Sequence, residues 1–335
     1  MQTPLVSVLL PAFDAAQTLG TALRSIERQT LTSFECVIVD DGSRDETRSI
    51  ARAFAARDAR FRVLEREHAG VAGALGAGLV ECRGRYVARM DADDWMHRRR
   101  LELQVAALDL RPELAGIGAH VRIFPRRGLS DGLRAYERWL ASIVEPDDVE
   151  RERFVECPVV QPTLCMRREL LLEHGYRALG WPEDYDLVLR LLGAGHRLAV
   201  LPRQLLGWRD GPGRLTRTAD FCAPDRIVAC KAHHLARGFL SQAGGYVLWG
   251  YGGTGRALCR ALKLLGKEPS AVVELHPGRI GQRIAGAPVI APAGLGGLPR
   301  RPVVISVSGI GPRNEARERA RAEGLEEGRD FVVAA

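Results

Sequence analysis

The sequence predicts an α/β fold in two parts, a larger sheet domain followed by a small second α/β domain, and three observations carry that expectation. Near the start of the chain, apolar runs alternate with amphipathic stretches in βαβ order, and a strand that is apolar on both faces implies cover on both sides of its sheet. Acidic turns close several of these runs, at the carboxyl ends of strands, where open α/β sheets bind ligands. Further on, a new apolar run opens onto Gly250-Tyr251-Gly252-Gly253-Thr254-Gly255, so the strand-turn-helix grammar starts again. The expected division is 1–218 for the first domain, 219–245 for an Ala- and His-rich helical linker, and 246–335 for a Rossmann-like domain.

Residues 5–10 read as a strand ending at Pro11-Ala12-Phe13-Asp14, with a helix over 15–28 after it. Residues 34–39 form a second strand that stops at Asp40-Asp41-Gly42-Ser43-Arg44-Asp45. Gly42 lets the chain turn, and Ser43 or Asp45 is placed to cap a helix over 46–57. A plain cap suits Asp45, whereas Asp41 could accept from the N–H of a base or from ribose hydroxyls. A strand over 61–64 and a small-residue helix over 71–82 lead to Arg85-Tyr86-Val87-Ala88-Arg89-Met90-Asp91-Ala92-Asp93-Asp94, an apolar run that ends in three carboxylates. Because a strand alternates faces, Asp91 and Asp93 are expected to point the same way while Asp94 turns off into the next segment. Like charges that close repel, so one reading places Mg²⁺ or Mn²⁺ between them, shared with substrate phosphates. The other is a solvated acidic turn capping a helix near Trp95. A helix over 97–110, with Leu101, Val105 and Leu108 on one side, and a strand over 116–123 close this half.

At 335 residues and 46% hydrophobic content the chain suits a soluble globular protein of two domains. No apolar run nears the ~20 residues that cross a bilayer. Met1-Gln2-Thr3-Pro4 carries no basic-then-apolar signal, so a cytoplasmic location is expected, with peripheral association at the cytoplasmic membrane face as a variant. The seven cysteines include no C-x-x-C pair and read as reduced thiols. Net charge is +7, and 45 of the 48 basic residues are arginine, which suits phosphate-rich partners through bidentate contacts or simply a solvated face.

Val39-Asp40-Asp41-Gly42-Ser43, Met90-Asp91-Ala92-Asp93-Asp94, Arg100-Leu101 and Trp181-Pro182-Glu183-Asp184-Tyr185-Asp186-Leu187 together, in order and spacing, resemble the family 2 glycosyltransferases of the GT-A fold. The resemblance implies a nucleotide-diphospho-sugar transferase fold, a D-x-D site for Mn²⁺ or Mg²⁺, a nucleoside-diphosphate sugar donor, a UDP-sugar first among them, and inversion at the anomeric carbon. By that likeness Pro11, Phe13 and Asp41 lie around the base and ribose, Asp91 and Asp93 hold ribose and metal, and Asp184 is the general base. Arg209, in what looks like the family's closing segment, would reach the diphosphate, while Arg214 and Arg217 fit a solvated basic loop better. The irregular stretch 124–180 would then hold acceptor specificity, and Gln161, Thr163, Trp181 and Glu183 are the candidate pocket residues. One departure is Leu75-Gly76, where family members often carry Arg-Asn to meet the diphosphate. The chemistry agrees: a leaving diphosphate needs its charge neutralised, and an acceptor hydroxyl needs a base within reach. Glu183-Asp184 opens a helix over 185–192, where the dipole favours a carboxylate, and helix capping is the plainer use for it.

In the tail, Gly250, Gly252 and Gly255 follow a strand, precede a helix over 256–265, and are followed by Glu274 at the distance a dinucleotide fingerprint asks for. These four form a possible second nucleotide site, and a docking or homodimer role is the alternative. His233 and His234 are adjacent, point to different sides of a helix and make a poor metal pair. The combination of Trp139, Pro162-Thr163, Pro182-Glu183-Asp184 and a tail from Leu248-Trp249-Gly250 to Glu327-Gly328-Arg329-Asp330-Phe331 is similar to the group once described as β-1,3-N-acetylglucosaminyltransferase-like proteins, which includes the tRNA queuosine galactosyltransferase of animals. That likeness leaves the acceptor open between a glycan or lipid-linked saccharide and a queuosine-type tRNA nucleoside. An NAD-dependent oxidoreductase or a nucleotide-sugar-binding regulator built on the tail are the rivals from other classes.

Overall fold

The apolar runs become the inner strands of two separate sheets. The computed structural model describes residues 3–335, so Met1 and Gln2, part of the N-terminal targeting reading, lie outside the described residues. Packing divides the chain into one unit comprising residues up to Val149, Val159–Leu179 and Arg190–Arg214, and a second comprising Glu150–Pro158, Gly180–Leu189 and Leu215–Ala335. No described helix is long and apolar enough to cross a membrane.

Up to residue 110 the chain runs β1 (Val6–Ala12), α1 (Ala16–Glu27), β2 (Phe34–Asp40), α2 (Thr47–Arg57), β3 (Phe61–Glu65), α3 (Gly70–Glu81), β4 (Tyr86–Arg89), β5 (Trp95–Met96) and α4 (Arg100–Leu110). It continues with β6 (Leu114–Phe124), α5 (Asp131–Ala141), α6 (Pro146–Glu152), β7 (Cys165–Arg167), α7 (Arg168–His174), α8 (Glu183–Gly193) and β8 (Arg197–Arg209). The first sheet has the order β3-β2-β1-β4-β7-β6-β8-β5. β1 to β4 are mutually parallel, and β7 runs antiparallel to both β4 and β6. Every residue of β2 is buried, as a strand covered on both faces requires. The small residues of α3 have a packing cause. A Cβ on Gly78 would sit 2.5 Å from Leu9 Cδ1 and Val39 Cγ2, so glycine lets the helix lie directly on β1 and β2.

Two expectations change here. The stretch 124–180 is not irregular: it holds helices α5, α6 and α7 and the short strand β7. The helix expected from residue 97 begins at Arg100, because Trp95 and Met96 pair as a strand with Gly207 and Leu206 of β8.

The second unit contains α9 (Leu215–Thr218), α10 (Pro224–Arg237), β9 (Tyr246–Trp249), α11 (Gly253–Leu264), β10 (Pro269–Val273), β11 (Arg283–Ile284), β12 (Ala287–Ile290), β13 (Val303–Ile305), α12 (Ile310–Ala322) and β14 (Phe331–Val333). Its sheet order is β11-β12-β10-β9-β13-β14, parallel throughout except for β11. The 219–245 segment does not stand apart as a linker. Cys230, Ala232 and Leu235 of α10 share one apolar core with Tyr246, Leu248, Leu258 and Leu262, and Phe154, Tyr185 and Leu189 enter the same core. Full burial of such side chains contributes about 1.5–3 kcal/mol each, which ties the two short earlier segments to this unit.

Candidate active site

In the first unit, β1, β2 and β4 deliver their carboxyl ends to one edge of the sheet, with Ala12 opposite Asp40 and Leu9 opposite Arg89. β4 stops at Arg89, and Asp91–Asp94 form a turn beyond it instead of continuing the strand. Strand alternation therefore does not sort these carboxylates. One oxygen from each of Asp91, Asp93 and Asp94 lies within 4.8 Å of the others, so Asp94 joins the pair instead of turning away. The turn is fastened from below by Arg100, which is fully buried and donates from Nη2 to the Arg89 carbonyl at 2.8 Å and from Nε to Gln104 at 3.0 Å. Burial pulls the Arg100 guanidinium down to about 10, which leaves it charged at neutral pH.

The electrostatics of the turn are those of crowded carboxylates. Burial and then the neighbouring Asp91 push Asp93 up to about 6. Asp94, 1% exposed, is raised well above the usual carboxylate range by burial and by both neighbours. Asp91 is held by Arg89 at 2.6 Å. Asp94 Oδ1 accepts from the Arg209 N–H at 2.7 Å, and its Oδ2 is buried with no hydrogen-bond partner among the described residues. An orphaned, buried hard oxygen beside two more carboxylates fits a divalent cation, because burying unpaired charge is costly and an oxygen-rich site suits Mg²⁺ or Mn²⁺. Asp91 and Asp93, with Asp94, are the residues that would hold it.

Arg209, the last residue of β8, meets this turn. Its Nε donates to the Asp93 carbonyl at 2.7 Å and its guanidinium lies 4.7 Å from the Phe124 ring centroid. Arg214, read as a solvated loop residue, stacks on Trp208 at 3.7 Å. Phe13 is 43% exposed just past β1, and its ring centroid is 4.2 Å from that of His68, giving an aromatic surface next to partly buried Pro11. His68 escaped the sequence reading, since a lone histidine between a strand and a helix carries no local signal.

Asp41 is 2% exposed, and its carboxylate accepts from Ala69 N–H at 3.1 Å and Gly70 N–H at 2.8 Å while facing Arg66 and His68. It closes the N-terminus of α3 from a different strand. Thr163 is fully buried and its hydroxyl donates to the Val160 carbonyl, whereas Gln161 keeps Nε2 buried without a partner among the described residues. Trp181, Glu183 and Asp184 fall in the segment grouped with the second unit. There Asp184 occupies the first turn of α8 and accepts from the Tyr185 N–H at 2.7 Å, while Trp181 Nε1 donates to Asp186 at 3.2 Å. His234 Nε2 also meets Asp186, at 3.0 Å, so that carboxylate serves a local network, and His233 lies with its ring against Trp181.

In the tail, Gly250 takes φ +94°, a conformation glycine adopts without strain, and a Cβ on Gly255 would land on the Gly250 carbonyl oxygen. Glu274 follows β10 and accepts from the Tyr251 N–H at 2.9 Å. The four residues of the fingerprint are therefore gathered around one turn.

Known proteins share this architecture. The structure of residues 1–349 of TarS from S. aureus, solved in complex with UDP-GlcNAc, overlays with a TM-score of 0.57 at 18% identity, over 77% of this chain and 71% of that one. The mannosyltransferase PcManGT of Pyrobaculum calidifontis, solved with GDP-Man and Mn²⁺, overlays at 0.53 and 21% identity, over 71% of this chain and 64% of that one. At those identities the likeness speaks to the fold. By sequence, the putative glycosyltransferase EpsH of Bacillus subtilis is 36% identical over 96 residues, 29% of this chain and 28% of that protein. The Escherichia coli enzyme WfgD, a UDP-Glc:α-D-GlcNAc-diphosphoundecaprenol β-1,3-glucosyltransferase, is 34% identical over 109 residues, 32% of this chain and 42% of that protein. The matched region thus covers less than half the length of each of these two relatives. Residues 7–175, which carry the sheet edge and its acidic turn, match the model of glycosyl transferase family 2, and the chain belongs to that family.

Proposed function

We propose that the protein moves a hexosyl or N-acetylhexosaminyl group, with inversion, from a UDP-sugar to a hydroxyl of a lipid-linked saccharide, assisted by a divalent cation. The observation that carries this reading is the convergence of Asp91, Asp93 and Asp94 at the carboxyl ends of the parallel strands β1, β2 and β4, with one Asp94 oxygen lacking a hydrogen-bond partner among the described residues. A cation held there supplies neutralisation of the charge that develops on a departing diphosphate. Phe13 and His68 offer a face for the base, and Arg209 keeps the turn in place and adds positive charge where phosphates would lie. Asp41 acts on the donor by holding the 66–70 loop against β2. Asp184 takes the proton from the acceptor hydroxyl, a role that suits a carboxylate in the first turn of a helix. Gln161 Nε2, which has no hydrogen-bond partner among the described residues, offers a donor to a sugar hydroxyl.

The donor class is supported by the UDP-GlcNAc held by TarS, the cation by the Mn²⁺ in PcManGT, and the lipid-linked acceptor by the name of WfgD. The arginine-rich charge favours one rival acceptor, a tRNA nucleoside of the queuosine type, and steep salt dependence of tRNA binding is its signature. The test of the main reading is thermal denaturation of the full chain with UDP, GDP and their sugars, each with Mn²⁺ and with EDTA. UDP with Mn²⁺ should raise the melting point, by a stabilisation of about 2.7 kcal/mol at one hundred times Kd, and EDTA should remove most of the shift. No shift with any nucleotide in Mn²⁺ or Mg²⁺ refutes it.

A further inference from the structure

The motif left over from the donor site lies in the second unit, where three parallel strands end together. Numbered by position, the order β12-β10-β9-β13-β14 places β9 at the point where the chain first builds outward through β10 and β12 and then crosses to β13 on the other side. Parallel sheets bind ligands in the crevice at such a reversal, outside the carboxyl ends of the strands. A cavity of about 400 Å³ occupies that place, lined among others by Gly250, Gly252 and Thr254 after β9, Glu274 after β10, and Ser306 after β13. This volume is within the range of small-molecule sites.

We infer that this cavity is a second ribonucleotide site, which binds a diphosphate at the start of α11 and a ribose diol at Glu274, independently of the acidic turn in the first unit. α11 is a helix of 12 residues whose first turn carries no acidic residue and whose N-cap, Gly252, has no side chain to satisfy the leading N–H groups. Those donors and the helix dipole favour an anion there. The cavity also holds a polar group that points to a ligand: Ser306 is 3% exposed, and its Oγ has no hydrogen-bond partner among the described residues. A buried hydroxyl left unpaired is costly, and a phosphate oxygen would satisfy it. Glu274 is fixed for its task by the Tyr251 N–H at 2.9 Å and Arg279 at 3.0 Å, both on Oε1, which leaves Oε2 to accept from ribose hydroxyls. Around Gly252 there is open space, since a Cβ built on it meets nothing within 4 Å, so the backbone can be approached closely.

The same chemistry is carried by a free nucleoside diphosphate and by a dinucleotide cofactor, so ADP and NAD⁺ are the two probes. Each is titrated calorimetrically into the full chain in EDTA, which silences a cation-dependent donor site. One equivalent of ADP or NAD⁺ should bind, and the tighter of the two names the source. Gly252→Asp is the decisive variant: its backbone φ of −73° accepts a side chain, and an aspartate N-cap favours the helix, so the melting point should hold or rise. Its carboxylate meets the phosphate, and affinity should fall at least tenfold. Ser306→Ala should keep the fold and weaken binding by roughly threefold to tenfold, the size of one hydrogen bond. Glu274→Gln should erase the preference for ADP over 2′-deoxy-ADP. The inference is overturned if neither probe binds at millimolar concentration, if binding survives Gly252→Asp unchanged, or if Asp93→Asn removes it while Gly252→Asp does not. Nucleotide binding at the donor site is read separately, with Mn²⁺ present.

Discussion

The acidic turn after β4 and the glycine turn after β9 stand at the same topological place in two sheets, just past the carboxyl end of a central parallel strand, yet they present opposite charge. Asp91, Asp93 and Asp94 gather carboxylates, and burial together with that crowding raises Asp93 and Asp94 above the usual carboxylate range. Gly250, Gly252 and Gly255 gather no side chains at all and leave backbone N–H groups at the start of α11. The first arrangement meets an anionic ligand only with a cation between them, whereas the second can meet it directly. Strand ends supply the location, and the few residues beyond them decide the chemistry.

The largest effect that would test this contrast is expected at Asp93. Asp93→Asn should cut transfer from a UDP-sugar on the order of 10³-fold, since a cation at a leaving phosphate is worth several kcal/mol. In EDTA the same variant should be at least as stable as the parent, because it removes a buried charge facing Asp91. Activity that survives in full would remove the acidic turn from the reaction. Next in size is Asp184→Asn, expected to lower kcat by about 10²–10³-fold while UDP binding with Mn²⁺ stays unchanged, the signature of a general base. A loss confined to UDP affinity would give the residue a binding role instead.

A pair of glycines sharpens the comparison at the level of packing. Gly78 lets α3 lie on strands, and Gly255 lets α11 start against the turn after β9, but the atoms in the way differ. A Cβ at Gly78 meets the ends of Leu9 and Val39 side chains, which can move, whereas at Gly255 it meets a backbone carbonyl oxygen, which cannot. Gly255→Ala should therefore cost about 3 kcal/mol and Gly78→Ala about 1 kcal/mol, the two ends of the overpacking range. Hydrogen exchange resolves them, because β9 and β13 should lose protection in the first variant and β1 and β2 in the second.

What the sequence revealed divides along the same line. The glycine fingerprint is legible because its turn, helix start and acid are close in sequence. The acidic run was legible as a charge cluster, but the reason offered for it, strand alternation, fails because β4 ends at Arg89. Asp94 joins the cluster through a bond to Arg209, a residue 115 positions away, which no local pattern reports. β7 was missed for a like cause: three residues make a strand only because β4 and β6 flank them. The sequence division puts 180–189 in the first domain, since Leu189 and Tyr185 show their packing with Leu248 and Leu258 only once the chain is folded.

The smallest expected effect concerns Asp41, where the resemblance and the geometry assign different work. The resemblance puts its carboxylate on the nucleotide. The geometry spends it on the Ala69 and Gly70 N–H groups at the start of α3, a helix with no acid in its own first turn. Asn keeps one acceptor oxygen and gives up the charge that faces Arg66 and His68. If the residue is a cap, Asp41→Asn should cost about 1 kcal/mol in urea unfolding, and UDP affinity with Mn²⁺ should fall no more than the loosened 66–70 loop explains, a few-fold. A hundredfold rise in the UDP dissociation constant at unchanged stability would instead require a direct contact with base or ribose. The carboxylate would then have to leave α3 when the nucleotide arrives, and protection of the Gly70 amide against hydrogen exchange would fall on binding instead of rising.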